Sequence, residues 1–409
     1  MDLYIREKYL KKIRGFYHDT EIIKVITGVR RCGKSCLMET IKNELIQSGI
    51  LESDIIYLDL DSKRFRKIKT AEQLEALIDK STRAQGVKYL FIDEIQNVAD
   101  FEEVVNAYRA EGGYSIFITG SNSYLLSGEL VTKLTGRYVE FELFPLSFDE
   151  YLDMKKFYGK PVSGNLNEEL NNYLQEGGFP KAMQYDTFAD KRTYVKSVID
   201  EIFEKDIKRR LKIRNVEAFN NVRNFIINNF GATVSINSLR DSLVNNGINI
   251  NRDTLSRYVE ALLQSKVLYQ CDRFDMKSKK SLSGEKKYYL ADTSFYFSTN
   301  TDNRINYGPA LENIVYIYAR SLDYAVSVGR IGKLECDFIM RDSSLNYCYV
   351  QVAYTINESK LTEDREYASL EMIRDNYPKY VLTTDYLLQR RNGIHHLNVL
   401  EFIKSQSKF

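Results

Sequence analysis

Residues 22–36 read IIKVITGVRRCGKSC: a short β-branched apolar run, then Gly28-Val29-Arg30-Arg31-Cys32-Gly33-Lys34-Ser35, then the start of a helical pattern. The order predicts strand, phosphate loop and helix. A triphosphate must be wrapped closely by backbone N–H groups, so Gly28 and Gly33 keep the turn free of Cβ atoms while the helix N-terminus faces the charge. Lys34 is placed to reach the β- and γ-phosphates. Ser35 offers a hydroxyl to Mg²⁺, an ion that keeps most of its waters and takes few protein ligands. A chance glycine-rich turn is the competing reading, and the complete GxxxxGK[ST] pattern between a strand and a helix argues against it. Gly28, Arg30, Arg31, Cys32, Gly33, Lys34, Ser35 and Cys36 are therefore the expected nucleotide-binding positions, with ATP and Mg²⁺ as the expected cofactors.

Working outward, residues 54–62 (DIIYLDLDS) and 87–93 (VKYLFID) are apolar runs of the kind buried on both faces of a parallel sheet. The second ends in Asp93-Glu94. A carboxylate pair at the carboxyl end of such a strand completes a phosphate loop, with Asp93 orienting the water shell of Mg²⁺ and Glu94 polarising the attacking water as general base. A further strand, YSIFITGS at 114–121, ends in polar residues, of which Ser121 is the expected contact between Asp93 and the γ-phosphate. Arg137 stands between a helical stretch and the strand YVEFELFPLS, where a planar cation can reach a neighbouring subunit's γ-phosphate. An ordinary strand-flanking arginine is the alternative there.

The chain's 409 residues suggest two to four domains at about 150 residues each. Net charge is only +2, so any nucleic-acid or membrane surface must be a local patch. Five cysteines, at 32, 36, 271, 336 and 348, form no CxxC pair, which fits reduced thiols rather than a disulfide frame or a zinc site. The first residues are charged, and no run approaches the roughly 20 apolar residues of a membrane span. The expectation is a cytoplasmic protein without a membrane partner.

GVRRCGKS, YLFIDEIQ, ITGSNS, LTGRYVEFELFPLSFDEY and EGGFPKA, with YYLADTSF, GPALENIVY, LECDFI and YVQVAYTI further on, resemble the prokaryotic AAA-type ATPases whose C-terminal half is a domain of unknown function. The resemblance covers nearly the whole chain. It implies an α/β fold, a P-loop NTPase αβα sandwich over 1–155 with a helical lid over 156–204. In Gly177-Gly178-Phe179-Pro180 it implies a turn that offers Phe179 and Pro180 to adenine as an apolar plate, a plain helix-breaking turn being the alternative.

Residues 205–295 read as three short helices followed by strands, a winged helix. Its wing holds Lys277, Lys279, Lys280, Lys286 and Lys287, a candidate DNA contact, although charge runs are commonly solvated faces. Residues 296–409 resemble a small restriction-endonuclease-like α/β domain. In such a core Glu312 would be the helix acid, Asp337 the strand acid and Gln351 the last ligand position. Ala353 stands where the resemblance asks for a lysine, so a degenerate site is expected, with Lys360 the one nearby cation to replace it. The functional expectation is ATP hydrolysis driving a switch or motor, with DNA and further copies of the chain in a homo-oligomer as the candidate partners; a slow nucleotide-bound scaffold and an ATP-regulated nuclease are the alternatives.

Overall fold

The computed structural model describes residues 3–409 apart from 83–85, 121–133, 135, 209–212, 279 and 300–305. The chain forms two compact units, Met1–Leu143 with Gln264–Lys266, and Phe144–Leu263 with Val267–Phe409.

In the first unit, helix α1 (Glu7–Ile13) precedes strand β1 (Ile23–Thr27) and helix α2 (Lys34–Gln47). Then come β2 (Ile55–Asp59), α3 (Ala71–Ser81), β3 (Lys88–Asp93), α4 (Phe101–Glu111), β4 (Tyr114–Gly120) and β5 (Tyr138–Glu142). The sheet is parallel throughout, in the order β2-β3-β4-β1-β5. All residues of β1, β3 and β4 are buried, as strands covered on both faces must be, whereas the edge strand β2 alternates buried and half-buried positions. Leu74 and Ile78 of α3 and Val104, Val105 and Tyr108 of α4 pack with Ile92, Ile116 and Ile118. Each such aliphatic side chain contributes about 1.5–3 kcal/mol by leaving water. Among these elements, β4 lies between the strand that ends in Asp93 and the strand that opens the phosphate loop.

The second unit opens with helices α5 (Phe148–Phe157), α6 (Leu166–Glu176) and α7 (Phe188–Glu201). Ser147 and Glu150 form a capping box that fixes the start of α5. Helices α8 (Val216–Asn228), α9 (Ile236–Asn245) and α10 (Arg252–Gln264) follow, with β6 (Thr233–Ser235) between the first two. Strands β7 (Leu268–Asp275) and β8 (Lys280–Leu290) form an antiparallel hairpin. Beyond it lie α11 (Ser294–Thr299), α12 (Tyr307–Ser321), β9 (Ala325–Ile331), β10 (Leu334–Arg341), β11 (Tyr347–Val352) and α13 (Lys360–Glu371). The chain closes with β12 (Lys379–Thr383), β13 (Arg390–Arg391), β14 (Ile394–Asn398) and α14 (Val399–Lys404).

The division expected at 295/296 does not separate compact units. Arg273–Asp275 of β7 pair in parallel with Val328–Arg330 of β9, so one nine-stranded sheet runs β13-β14-β12-β11-β10-β9-β7-β8-β6 through both stretches. Alternation along β10 assigns its faces: Phe338 meets Tyr316 of α12, while Ile339 packs in the cluster that holds Tyr367 and Leu370 of α13.

Candidate nucleotide site

The loop between β1 and α2 is held from several sides. Gly28 has φ +147°, and a Cβ there would lie 2.1 Å from the Leu143 carbonyl oxygen and 2.8 Å from Cys32 Sγ, so only glycine fits. Gly33 adopts φ +108° and Arg31, a non-glycine, φ +68°. Cys32 is fully buried, whereas Arg31, Ser35 and Cys36 are exposed. Lys34 folds back so that Nζ donates to the carbonyls of Gly28 at 3.0 Å and Val29 at 3.2 Å. The ammonium thus sits inside the turn whose N–H groups a phosphate would meet.

Asp93, at the end of β3, is buried, and its carboxylate accepts a hydrogen bond from Thr119 Oγ1 of β4. The same hydroxyl accepts the Glu94 N–H at 3.0 Å. Glu94 takes a left-handed φ of +56° and turns its side chain toward Arg30, whose Nη2 lies 4.0 Å from Glu94 Oε2. The Gln96 amide donates to the same oxygen at 2.5 Å. Burial pushes the Glu94 carboxyl above its ordinary range, while Lys34 and Arg30 act the other way.

Two cations at this site carry no motif. Arg6 of the N-terminal segment is buried and donates to the Cys32 carbonyl at 3.2 Å, bracing the loop. Lys266, at φ +55°, donates to Thr27 Oγ1 at 3.0 Å at the end of β1 and pairs with Glu140 at 3.1 Å and with Glu142. It belongs to the first unit from a position more than a hundred residues after Leu143 in the chain, so only the fold reveals it.

Ser121 lies outside the described residues, and Thr119, two positions earlier, makes the contact to Asp93. Arg137 is exposed and donates to Asn106 Oδ1 at 3.2 Å. Phe179 is fully buried and packs on Phe295, with ring centroids 5.5 Å apart; it offers no free plate to a base, and Pro180 is half-buried. The turn instead belongs to the packing of the second unit. Asp292 accepts the Gly178 N–H at 2.6 Å, and a Cβ on Gly177 would lie 2.0 Å from Asp292 Oδ1.

In the second unit, Glu312 of α12, Asp337 of β10 and Gln351 of β11 line one cavity of about 450 Å³, and Ala353 lines it too. Lys360 does not supply the missing cation: its side chain is 70% exposed and pairs with Glu363 at 2.8 Å. Arg365 lines the cavity, and Lys287 of β8 lies against the acids from outside its lining. Its buried Nζ lies 3.0 Å from Glu312, 2.9 Å from Glu335 and 3.8 Å from Asp337. Consequently Lys287 is not a phosphate-contacting residue of the wing. Lys286 is half-buried and pairs with Asp272 at 3.5 Å, Lys279 is outside the described residues, and Lys277 and Lys280 are exposed.

A parallel sheet with a phosphate loop after β1 and an acid after β3 defines a P-loop nucleotide-binding protein. An AAA domain model matches residues 20–152, and a model of a domain of unknown function matches 167–303. The chain belongs to the AAA-type P-loop ATPases. It is 34% identical over 400 residues to an uncharacterized protein of Haemophilus influenzae, across 97% of this chain and 98% of that one. An uncharacterized protein of Methanocaldococcus jannaschii is 31% identical over 376 residues, across 88% of this chain and 82% of its own length. The solved Walker-type ATPase of Pyrococcus abyssi superposes with a TM-score of 0.52 at 16% identity, over 73% of this chain and 96% of that one, a likeness of fold. Among the described residues no helix is long and apolar enough to cross a membrane.

Proposed function

We propose that the first unit binds ATP with Mg²⁺, hydrolyses it, and drives a conformational switch through the second unit. The observation that carries this reading is the three-residue relay in which one hydroxyl, that of Thr119, fixes both acids expected of the site, Asp93 by its side chain and Glu94 by its backbone. The residues present suit the cofactor. One exposed hydroxyl, Ser35, and one buried, oriented carboxylate, Asp93, are the sparse oxygen set that Mg²⁺ accepts while keeping its waters. When bound, the ion would neutralise charge on the phosphates.

The chain's own groups do the rest. Loop N–H groups and Lys34 hold the phosphates, and Lys34 exchanges its present carbonyl partners for phosphate oxygens. Glu94 accepts a proton from the attacking water, and its raised affinity for protons makes it a stronger base than a solvated carboxylate. Arg30 and Gln96 hold that carboxylate in place before substrate arrives. Catalysis in such a site is positioning and electrostatics. A steady-state phosphate-release assay on the wild type and Lys34→Ala tests the proposal: turnover in the first and none in the second is expected.

The nucleic-acid part of the reading rests on Lys277 and Lys280, the two exposed lysines described in the β7–β8 hairpin. Lys205 and Lys208, in the basic stretch EKDIKRRLKIR at 204–214, pair within their own helical segment with Glu201 at 2.7 Å and Glu204 at 2.8 Å, as solvated helix faces do.

A further inference from the structure

Within the second unit, Glu312 and Asp337, which line the cavity, and Glu335 beside them converge on one ammonium. Glu312 Oε2 accepts from Lys287 Nζ at 3.0 Å and from the Tyr289 hydroxyl at 3.1 Å. Glu335 is shared between Lys287 at 2.9 Å and Arg273 at 3.0 Å. Asp337 accepts the Val352 N–H at 2.8 Å on Oδ2 and turns Oδ1 toward Lys287, 3.8 Å away. These contacts join three elements, since Lys287 lies on β8, Glu312 on α12, and Glu335 and Asp337 on β10. Lys287 is 5% exposed, so its charge is held out of water, a cost that only close opposite charges offset.

We propose that Lys287 is the resident cation of this acid cluster, its ammonium standing at the point where a divalent metal would otherwise gather Glu312 and Asp337, so that the second unit keeps a nuclease-like acid set without binding metal there. Three lines support the assignment. First, the ammonium is within ion-pair distance of all three carboxylates, so the oxygens that Mg²⁺ would need in near-octahedral array at about 2.0–2.1 Å are already turned to Lys287. Second, each carboxylate has a further partner of its own: the Tyr289 hydroxyl for Glu312, Arg273 for Glu335 and the Val352 N–H for Asp337. Third, the remaining ligand position is already engaged: the Gln351 amide donates to Glu366 at 3.0 Å, and its oxygen accepts weakly from the Asp337 N–H at 3.4 Å and the Ser369 hydroxyl at 3.3 Å. Lys287 is thus a positioning residue that ties the hairpin to α12 and β10. Its presence accounts for how Ala353 is tolerated beside two buried acids.

Mn²⁺ binding to the full-length protein without nucleotide, read by electron paramagnetic resonance, tests this. The wild type and Asp337→Asn should bind the same amount of Mn²⁺, because neither holds an ion in the cavity. Lys287→Met should gain a Mn²⁺ site at least about tenfold tighter in Kd than any in the wild type, and that site should vanish in Lys287→Met/Asp337→Asn. Should Lys287→Met fail to fold, Lys287→Met/Glu312→Gln removes the charge left uncompensated and is expected to recover the native circular dichroism spectrum. Wild-type Mn²⁺ binding that disappears in Asp337→Asn overturns the proposal. So does Mg²⁺- or Mn²⁺-dependent plasmid cleavage by the wild type that disappears in the same variant, or a folded Lys287→Met that gains no site.

Discussion

Thr119 Oγ1 donates to the Asp93 carboxylate while accepting the Glu94 N–H at 3.0 Å, so one β4 hydroxyl sets the side chain of one acid and the backbone of the next. Replacement by valine keeps the shape and removes both bonds. Asp93 then loses a hydrogen bond to a charged group, worth about 1.5–3 kcal/mol, in a buried position. Thr119→Val is expected to lower the ATP turnover number about ten- to hundredfold, as loss of a group orienting a metal ligand does, with a smaller change in nucleotide affinity. Equal loss in both would make Thr119 a binding residue instead.

The Arg30 guanidinium is one of the two cations opposing the upward shift of Glu94. If Glu94 is the general base, the acidic limb of the kcat/KM–pH profile reports its titration in the free enzyme. Arg30→Ala should move that limb to higher pH, because burial, no longer opposed by the guanidinium, favours the neutral carboxyl. A limb that stays in place or moves down would show that another group controls it.

Lys24 gives a stability test independent of any ligand. Its side chain is fully buried in β1, donating to Ser115 Oγ at 2.8 Å and the Asp19 carbonyl at 2.6 Å, and burial depresses it from the ordinary 10.5 to about 7. Between those two values the unfolded chain binds one proton more than the folded chain, so stability rises as pH rises through the window; below the folded value the penalty of the buried charge is complete. Denaturant midpoints measured from pH 7 to 10 should therefore climb in the wild type relative to Lys24→Met. Parallel curves would mean that Lys24 is hydrated in the folded protein.

Among the described residues of the β7–β8 hairpin, the exposed lysines that a DNA phosphate could meet are Lys277 and Lys280. Each phosphate contact contributes about −0.9 to the slope of log K against log salt. Lys277→Gln/Lys280→Gln should flatten that slope by about 2, whereas Lys286→Gln, whose lysine is already paired with Asp272, should leave it unchanged. A slope indifferent to the double variant removes the hairpin from any DNA interface.

The phosphate loop and Asp93-Glu94 were legible because their chemistry lies in contiguous residues flanked by apolar strands. The contact of Thr119 with Asp93 required the strand order, since β4's place between β3 and β1 brings its side chains against Asp93. Lys287 was hidden for a related reason. A search for a cation along β11 finds Ala353, but the ammonium arrives from β8, in a stretch whose composition reads as a solvated basic wing. Pairing of β7 with β9, which merges the hairpin with the C-terminal strands, leaves no mark on periodicity. Phe179 shows the opposite error: an aromatic beside glycines and a proline reads as an exposed plate, and contact with Phe295 buries it.

Isothermal titration of ATP with Mg²⁺ into the wild type, Lys34→Ala and Glu94→Gln, with phosphate release followed on the same samples, bears most directly on the central claim. The account expects wild-type binding and turnover, no binding to a folded Lys34→Ala protein that has lost charge-assisted bonds to the phosphates, and binding without turnover in Glu94→Gln. Undiminished ATP affinity in Lys34→Ala, or undiminished turnover in Glu94→Gln, would contradict it.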